Sequence, residues 1–165
     1  MKILMVGLSN IGDAVLMAPA IAQAKARWPQ AQLTLLIGER ATPLFARDPR
    51  LANVVSMDEF DGMTGRLRLV RWVWSLKPNR IVDFRQTLLP LCWRPWRAWR
   101  AFWPVPRRIE HMRQRHLAKA RRQLGLHGSH AASDAPAGDA IWIGEPDRQA
   151  VNGLLQRWGV APGKR

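Results

Sequence analysis

The sequence predicts an α/β domain, a parallel sheet with helices on both faces. Short apolar runs alternate with helical patterns along the first half of the chain, which is the signature of strands joined by crossover helices. The opening run, Lys2-Ile3-Leu4-Met5-Val6, passes through Gly7-Leu8-Ser9-Asn10-Ile11-Gly12-Asp13 directly into a helical pattern. At 165 residues the chain has the size of a single domain with a real core.

Each element has a local reason. The first helix is expected from about Asp13 to Trp28, kinked at Pro19 and stopped by Pro29. Gln32 to Ile37 reads as a buried strand, Thr42 to Arg47 as a short helix and Ala52 to Met57 as a third strand. Gly65 to Leu76 is helical, and Pro78-Asn79 leads into a fourth strand, Arg80 to Phe84. From Thr87 the pattern is mainly helical to Leu124. A loop rich in Gly, Ala and Ser follows from His127 to Asp139, then a short strand, Ala140 to Ile143, and a helix with Pro146 in its first turn and Gly159 after its last. This divides the chain into a main domain (1–126), a loop (127–139) and a last strand and helix (140–165).

In an open parallel sheet the first strand-to-helix turn lies at the carboxyl edge, where ligands collect. Here it matches neither common phosphate pattern. The form G-x-x-x-x-G-K-[ST] has this glycine spacing, but Asp13 stands where the lysine belongs, and its charge repels phosphate. The dinucleotide pattern G-x-G-x-x-G is absent. Two readings of Asp13 remain, a helix cap or a carboxylate facing a cleft. Leu16, three residues on, rules out the reciprocal capping box.

Charge is uneven. Of the 26 Lys and Arg and 12 Asp and Glu, sixteen basic residues and only Asp83 and Glu110 fall between Gly62 and Arg122, a net of +14 for that block. The surplus implies an anionic partner: nucleic acid, phosphorylated lipid or an anionic membrane. Within the block, Trp93-Arg94-Pro95-Trp96-Arg97-Ala98-Trp99-Arg100-Ala101-Phe102-Trp103 repeats Trp-Arg with a period of three. If Pro95 starts a helix, Trp96, Trp99 and Trp103 form one stripe flanked by Arg97 and Arg100, the composition of a helix lying at a membrane surface. The alternative is a stripe packed on the sheet with a solvated Arg face. Nucleic acid is the weaker fit, because no recognised nucleic-acid motif accompanies the rings.

The single Cys92 excludes an internal disulfide, and no Cys/His cluster has zinc-ligand spacing, so neither a structural metal nor a cofactor is expected. Residues 2 to 24 superficially resemble a secretion signal, but Asp13 interrupts the apolar stretch. No run reaches the length of a membrane span. A cytosolic protein is the default.

The order of features resembles glycosyltransferase family 9, the lipopolysaccharide heptosyltransferases. The residues that carry the likeness are the first strand, the S-x-x-G-D turn, the helix with internal Pro19, and the blocks RWPQAQLTLLIGERATPLF, RIVDFRQT and EHMRQRHLAKARRQLGL. It covers most of residues 1 to 126. The resemblance implies the Rossmann-like N-terminal, acceptor-binding domain of a two-domain GT-B enzyme, and Val160 to Arg165 fall about where the family enters its donor-binding half. It further implies that Asp13 is the catalytic base, taking the proton of an acceptor hydroxyl as it attacks the anomeric carbon of a nucleotide-activated heptose with inversion.

Ser9, Asn10 and Gly12 on the same turn, and Arg66, Arg68, Arg71 and Arg85, are the expected contacts to an anionic, lipid-linked saccharide acceptor. The nucleotide-heptose donor would be held by the other half. The expected location is cytoplasmic, peripheral on the inner face of the cytoplasmic membrane, held there by Trp96, Arg97, Trp99, Arg100 and Trp103. The competing expectations are a non-enzymatic basic module binding RNA or an anionic membrane, and an inactive truncated remnant.

Overall fold

The apolar run at the start of the chain becomes an interior strand of the sheet. β1 (Lys2–Val6) pairs in parallel with β2 (Gln32–Ile37) on one side and β4 (Arg80–Asp83) on the other, while β3 (Asn53–Ser56) pairs with the far side of β2. The order is β3-β2-β1-β4. The computed structural model describes residues 1–96, 111–126 and 141–159.

Alternation along β1 feeds two cores. Ile3 and Met5 pack with Leu33, Leu35, Ile37 and Val82 against α1 (Ile11–Met17), α2 (Pro19–Arg27) and α6 (Met112–Leu124). Leu4 and Val6 pack with Leu36 against α4 (Gly62–Leu76) and α5 (Leu89–Trp93), through Leu69, Val73 and Leu89. A strand covered on both faces must be apolar throughout, which is why β1 reads as a continuous run. Each fully buried aliphatic side chain there contributes about 1.5–3 kcal/mol. The expected Rossmann-like α/β arrangement is therefore present, with α3 (Thr42–Phe45) inserting buried Phe45 into the first core.

The departures from expectation are local. The first helix is two helices, because Pro19 has no N–H to give and clashes with the preceding turn; Ala18 N–H instead donates to the Val15 carbonyl at 3.2 Å. α4 begins three residues earlier than Gly65, at Gly62, where the Asp61 carboxylate accepts the Gly62 N–H at 2.8 Å.

The last strand is absent. Ile141 to Ile143 pair with nothing in the sheet, and Ala140 lies outside the described residues. The reason is at the outer edge of β4. The Asp83 N–H donates to Gln123 Oε1 at 2.6 Å and Gln123 Nε2 donates to the Asp83 carbonyl at 3.3 Å, so an amide side chain from α6 occupies the place of a fifth strand. Ile141 is apolar because it packs on the first core, and α7 (Glu145–Arg157) follows with no buried residue of its own.

Among the described glycines the closest packing is at Gly65, where an added Cβ would lie 2.3 Å from the Phe60 carbonyl. Alanine would gain about 1 kcal/mol in helix propensity, but overpacking against backbone costs about 1–3 kcal/mol. Gly65→Ala is therefore expected to lower the urea midpoint, with a net loss of up to about 2 kcal/mol. A raised midpoint would show that the 3-10 turn Met57–Phe60 yields freely.

Candidate functional site

The chain runs from β1 to β2 and β3 on one side and then returns to place β4 on the other, so the carboxyl ends of β1 and β4 diverge into a crevice. A cleft of about 530 Å³ lies there. Its lining comprises Ser9 after β1, Met57 and Asp58 after β3, Phe60, Asp61, Arg66, Leu69 and Val70 along the approach to and first half of α4, and Arg85, Thr87, Leu88, Leu89 and Cys92 after β4.

Ser9 is exposed at the cleft wall and is held from behind by Gly38, whose added Cβ would come within 2.7 Å of the Ser9 Cα. Its hydroxyl accepts a hydrogen bond from Arg85 Nη1 at 3.0 Å, joining the turns after β1 and β4 across the crevice. Arg85 is set by the residue two before it. The buried Asp83 carboxylate accepts the Arg85 N–H at 2.9 Å and the Thr87 hydroxyl at 2.7 Å, and Gln86 between them adopts φ 58. A left-handed non-glycine costs about 1 kcal/mol, which the two hydrogen bonds offset.

The two acids of the cleft are occupied structurally. Asp58 accepts the Glu39 N–H at 2.6 Å and Asp61 accepts the Gly62 N–H. With Arg66 and Arg85 also in the lining, its formal charges cancel, and the cleft offers two guanidinium groups among apolar walls, that of Arg85 directed by Ser9. Arg68 is turned away to the Glu59 carbonyl at 2.8 Å, and Arg71 is exposed on α4 outside the lining.

Asp13 is not the N-cap. Asn10 takes that position and Asp13 is the third helical residue, half-exposed, capping nothing. Its one side-chain hydrogen bond among the described residues is a long one, 3.5 Å from Asn10 Nδ2. Asp13 and Asn10 stand on the turn that carries Ser9 without lining the cleft themselves. A Cβ on Gly12 would meet nothing within 4 Å, so the space beside Asp13 is open.

The sequence reading missed the layer beneath. His116, Lys119 and Gln123 fall on one face of α6, at spacings of three and four, and all turn toward the carboxyl end of β4. Lys119 Nζ donates to the Phe84 carbonyl at 2.9 Å. His116 is buried edge-on to Phe84, its Nε2 without a partner among the described residues. Burial pushes the imidazole below its ordinary value of 6.5; Asp13 opposes the shift, and Lys119 and Arg115 add to it. Burial likewise raises Asp83 above 3.8, against Thr87, Lys119 and Arg85, and lowers Lys119 below 10.5, against Asp83. The one available sequence signal was the lone acid closing an apolar strand in a basic block.

Of the Trp-Arg segment, Trp96 is exposed; Arg97, Trp99, Arg100 and Trp103 lie outside the described residues. No described helix is long and apolar enough to cross a membrane.

These shifts fix the sign of the acid response. His116 has a lowered pKa in the fold, so its contribution to stability is complete above pH 6.5 and is lost as pH falls through the lowered value. Asp83 acts oppositely, favouring the fold at low pH and losing that contribution as pH rises from 3.8 through its raised value. Urea midpoints of the parent chain are therefore expected to fall, relative to those of His116→Leu, as pH is lowered from about 7 to about 5. Parallel curves would mean that the imidazole is not held neutral.

No protein-family model and no curated protein sequence matches the chain. Solved structures do. The chain superposes on a glycosyltransferase family 9 protein from Veillonella parvula with a TM-score of 0.71 at 14% identity, covering 97% of this chain and 50% of that one. It superposes on E. coli ADP-heptose lps heptosyltransferase II with a TM-score of 0.67 at 18% identity, covering 98% and 51%. For E. coli heptosyltransferase WaaC with ADP the TM-score is 0.52 at 14% identity, over 97% and 65%. The chain thus spans about half the length of the first two. At such identities the likeness is one of fold: the chain folds like about half of each of these two glycosyltransferases.

Proposed function

We propose that this chain is the acceptor-binding half of an inverting glycosyltransferase that moves a heptose from a nucleotide sugar to an anionic, lipid-linked saccharide of the lipopolysaccharide core type. The observation that carries the reading is Asp13. It is a half-exposed carboxylate in the first turn of α1, free of capping duty, one loop away from a cleft at the sheet's switch point.

In this reading an acceptor hydroxyl approaches over Gly12, where there is room. Its oxygen attacks the anomeric carbon of the donor, its proton passes to the Asp13 carboxylate, and the bond to the nucleotide diphosphate breaks, the diphosphate leaving with the electron pair. Attack opposite the leaving group inverts the centre. Asn10 Nδ2, at the long 3.5 Å distance, orients the carboxylate without neutralising it. Ser9 is the hydrogen-bonding group for sugar hydroxyls, and Arg85 and Arg66 take the anionic groups of the acceptor. The donor belongs to the other half of the fold, so these residues alone do not complete the reaction. Such a lipid-linked acceptor places the protein on the inner face of the cytoplasmic membrane.

The test is turnover with the donor-binding half present. Asp13→Asn is expected to lower kcat by about 10²–10⁴-fold with an unchanged urea midpoint; unchanged turnover would remove Asp13 from the mechanism. Arg85→Ala is expected to raise KM for the acceptor about ten-fold, as for a lost charge-assisted hydrogen bond. An unaltered KM would mean that the acceptor's anionic group is bound elsewhere.

A further inference from the structure

The outward side of α4 carries an apolar stripe that neither core uses. Gly65, Leu69 and Val73 turn toward the sheet, whereas Met63, Leu67 and Trp74 are 79, 69 and 54% exposed. They fall at i, i+4 and i+11, the spacing of a single helix face, with Val70, which packs on the second core and lines the cleft, at the margin of that face. By the same geometry Arg66 and Lys77 flank the stripe on one side and Arg71 on the other, all three exposed. α5 lies beside α4, tied by the Trp74 indole N–H donating to the Cys92 carbonyl at 3.1 Å, and adds exposed Leu91 and, just beyond, Trp96. Contiguous exposed apolar side chains rimmed by charge mark an interaction surface, not ordinary solvent-facing scatter.

We propose that this α4–α5 face docks on an anionic lipid bilayer, with the Met63-Leu67-Trp74 stripe in the interfacial layer and Arg66, Arg71 and Lys77 on lipid phosphates. An apolar centre with cations at its margins is the arrangement of a helix lying in the plane of a membrane. Nucleic acid would place the cations at the centre and leave Met63 and Leu67 without a role. A second copy would set one cationic rim against another in a chain of net charge +14. Each surface-adjacent cation strengthens binding about five-fold at modest ionic strength, so the three supply an affinity that falls with added salt. Arg66 and Cys92 also line the cleft, so the cleft borders the docking face. The inference deepens the lipid-acceptor reading above and rests on it for its biological sense.

The experiment is co-sedimentation of the whole chain at low salt with vesicles of phosphatidylcholine alone, and of phosphatidylcholine and phosphatidylglycerol in equal parts. Binding is expected with the mixed vesicles and not with the neutral ones. Met63→Asp/Leu67→Asp is expected to weaken it by at least about ten-fold. Val151→Asp/Leu154→Asp, with the same charge change at exposed positions of α7, is expected to leave it within about two-fold. Urea midpoints verify that both variants are folded. The proposal is overturned if mixed vesicles do not sediment the protein, if the α4 pair has no effect, or if both pairs weaken binding equally, which would be net charge alone. Binding of an oligonucleotide in place of mixed vesicles overturns it too. The assay holds neither donor nor saccharide acceptor, so loss of transfer with vesicle binding intact strikes the transferase reading alone.

Discussion

A sheet must end somewhere, and the way this one ends at β4 organises most of what surrounds it. The last residue of that strand, Asp83, has a backbone N–H and carbonyl facing away from β1, and both are met by the Gln123 amide. An edge left with unpaired groups in a buried position would be penalised by a few kcal/mol, as well as inviting another strand. Closing it with a side chain fixes α6 against β4. It also keeps the Asp83 carboxylate buried, where it holds the next turn through the Arg85 N–H and the Thr87 hydroxyl.

From that turn the arrangement extends outward. Arg85 reaches Ser9, so the exits of two neighbouring strands are tied across the switch point. Lys119 and His116 lie beneath, one on a carbonyl and the other against Phe84, both desolvated. Among the described residues the charges of the cleft balance, and the surplus cations lie outside it, several of them on α4 and α6. In the functions proposed above, recognition of an anionic group inside falls to the Arg85 and Arg66 guanidinium groups, and attraction to an anionic surface to the rim.

The strands and their burial on both faces were legible because, past their exposed first residues Lys2 and Gln32, β1 is apolar throughout and β2 is apolar but for Thr34, a pattern with few other uses. The strand ends were over-read by a residue or two at β3 and β4, where apolar Ala52 and Phe84 continue the run beyond the ladder. The false strand at Ile141 shows the limit of the same rule: apolar residues record burial, and only the state of the neighbouring edge decides whether they pair. Asp13, Ser9 and Arg85 were visible because a loop after a first strand is a known place to look. His116, Lys119 and Gln123 were not, since on a helix this rich in Arg their shared face is evident only once β4 lies against it. Nor was the α4 stripe, whose Met63, Leu67 and Trp74 are indistinguishable in sequence from core positions.

The contact between Gly38 and Ser9 gives the crevice an uneven stiffness. Backbone touches backbone there, so the segments leaving β1 and β2 are braced as one unit and neither can retreat from an incoming molecule without displacing the other. The opposite bank, carried by the turn through Gln86, is anchored by side-chain hydrogen bonds around a single left-handed residue. A rigid bank facing a tethered one discriminates by shape on the first side and adapts by side-chain rotation on the second. Under the acceptor-binding role proposed above, selectivity for the sugar itself falls to the serine side, and tolerance for the variable groups attached to it to the arginine side.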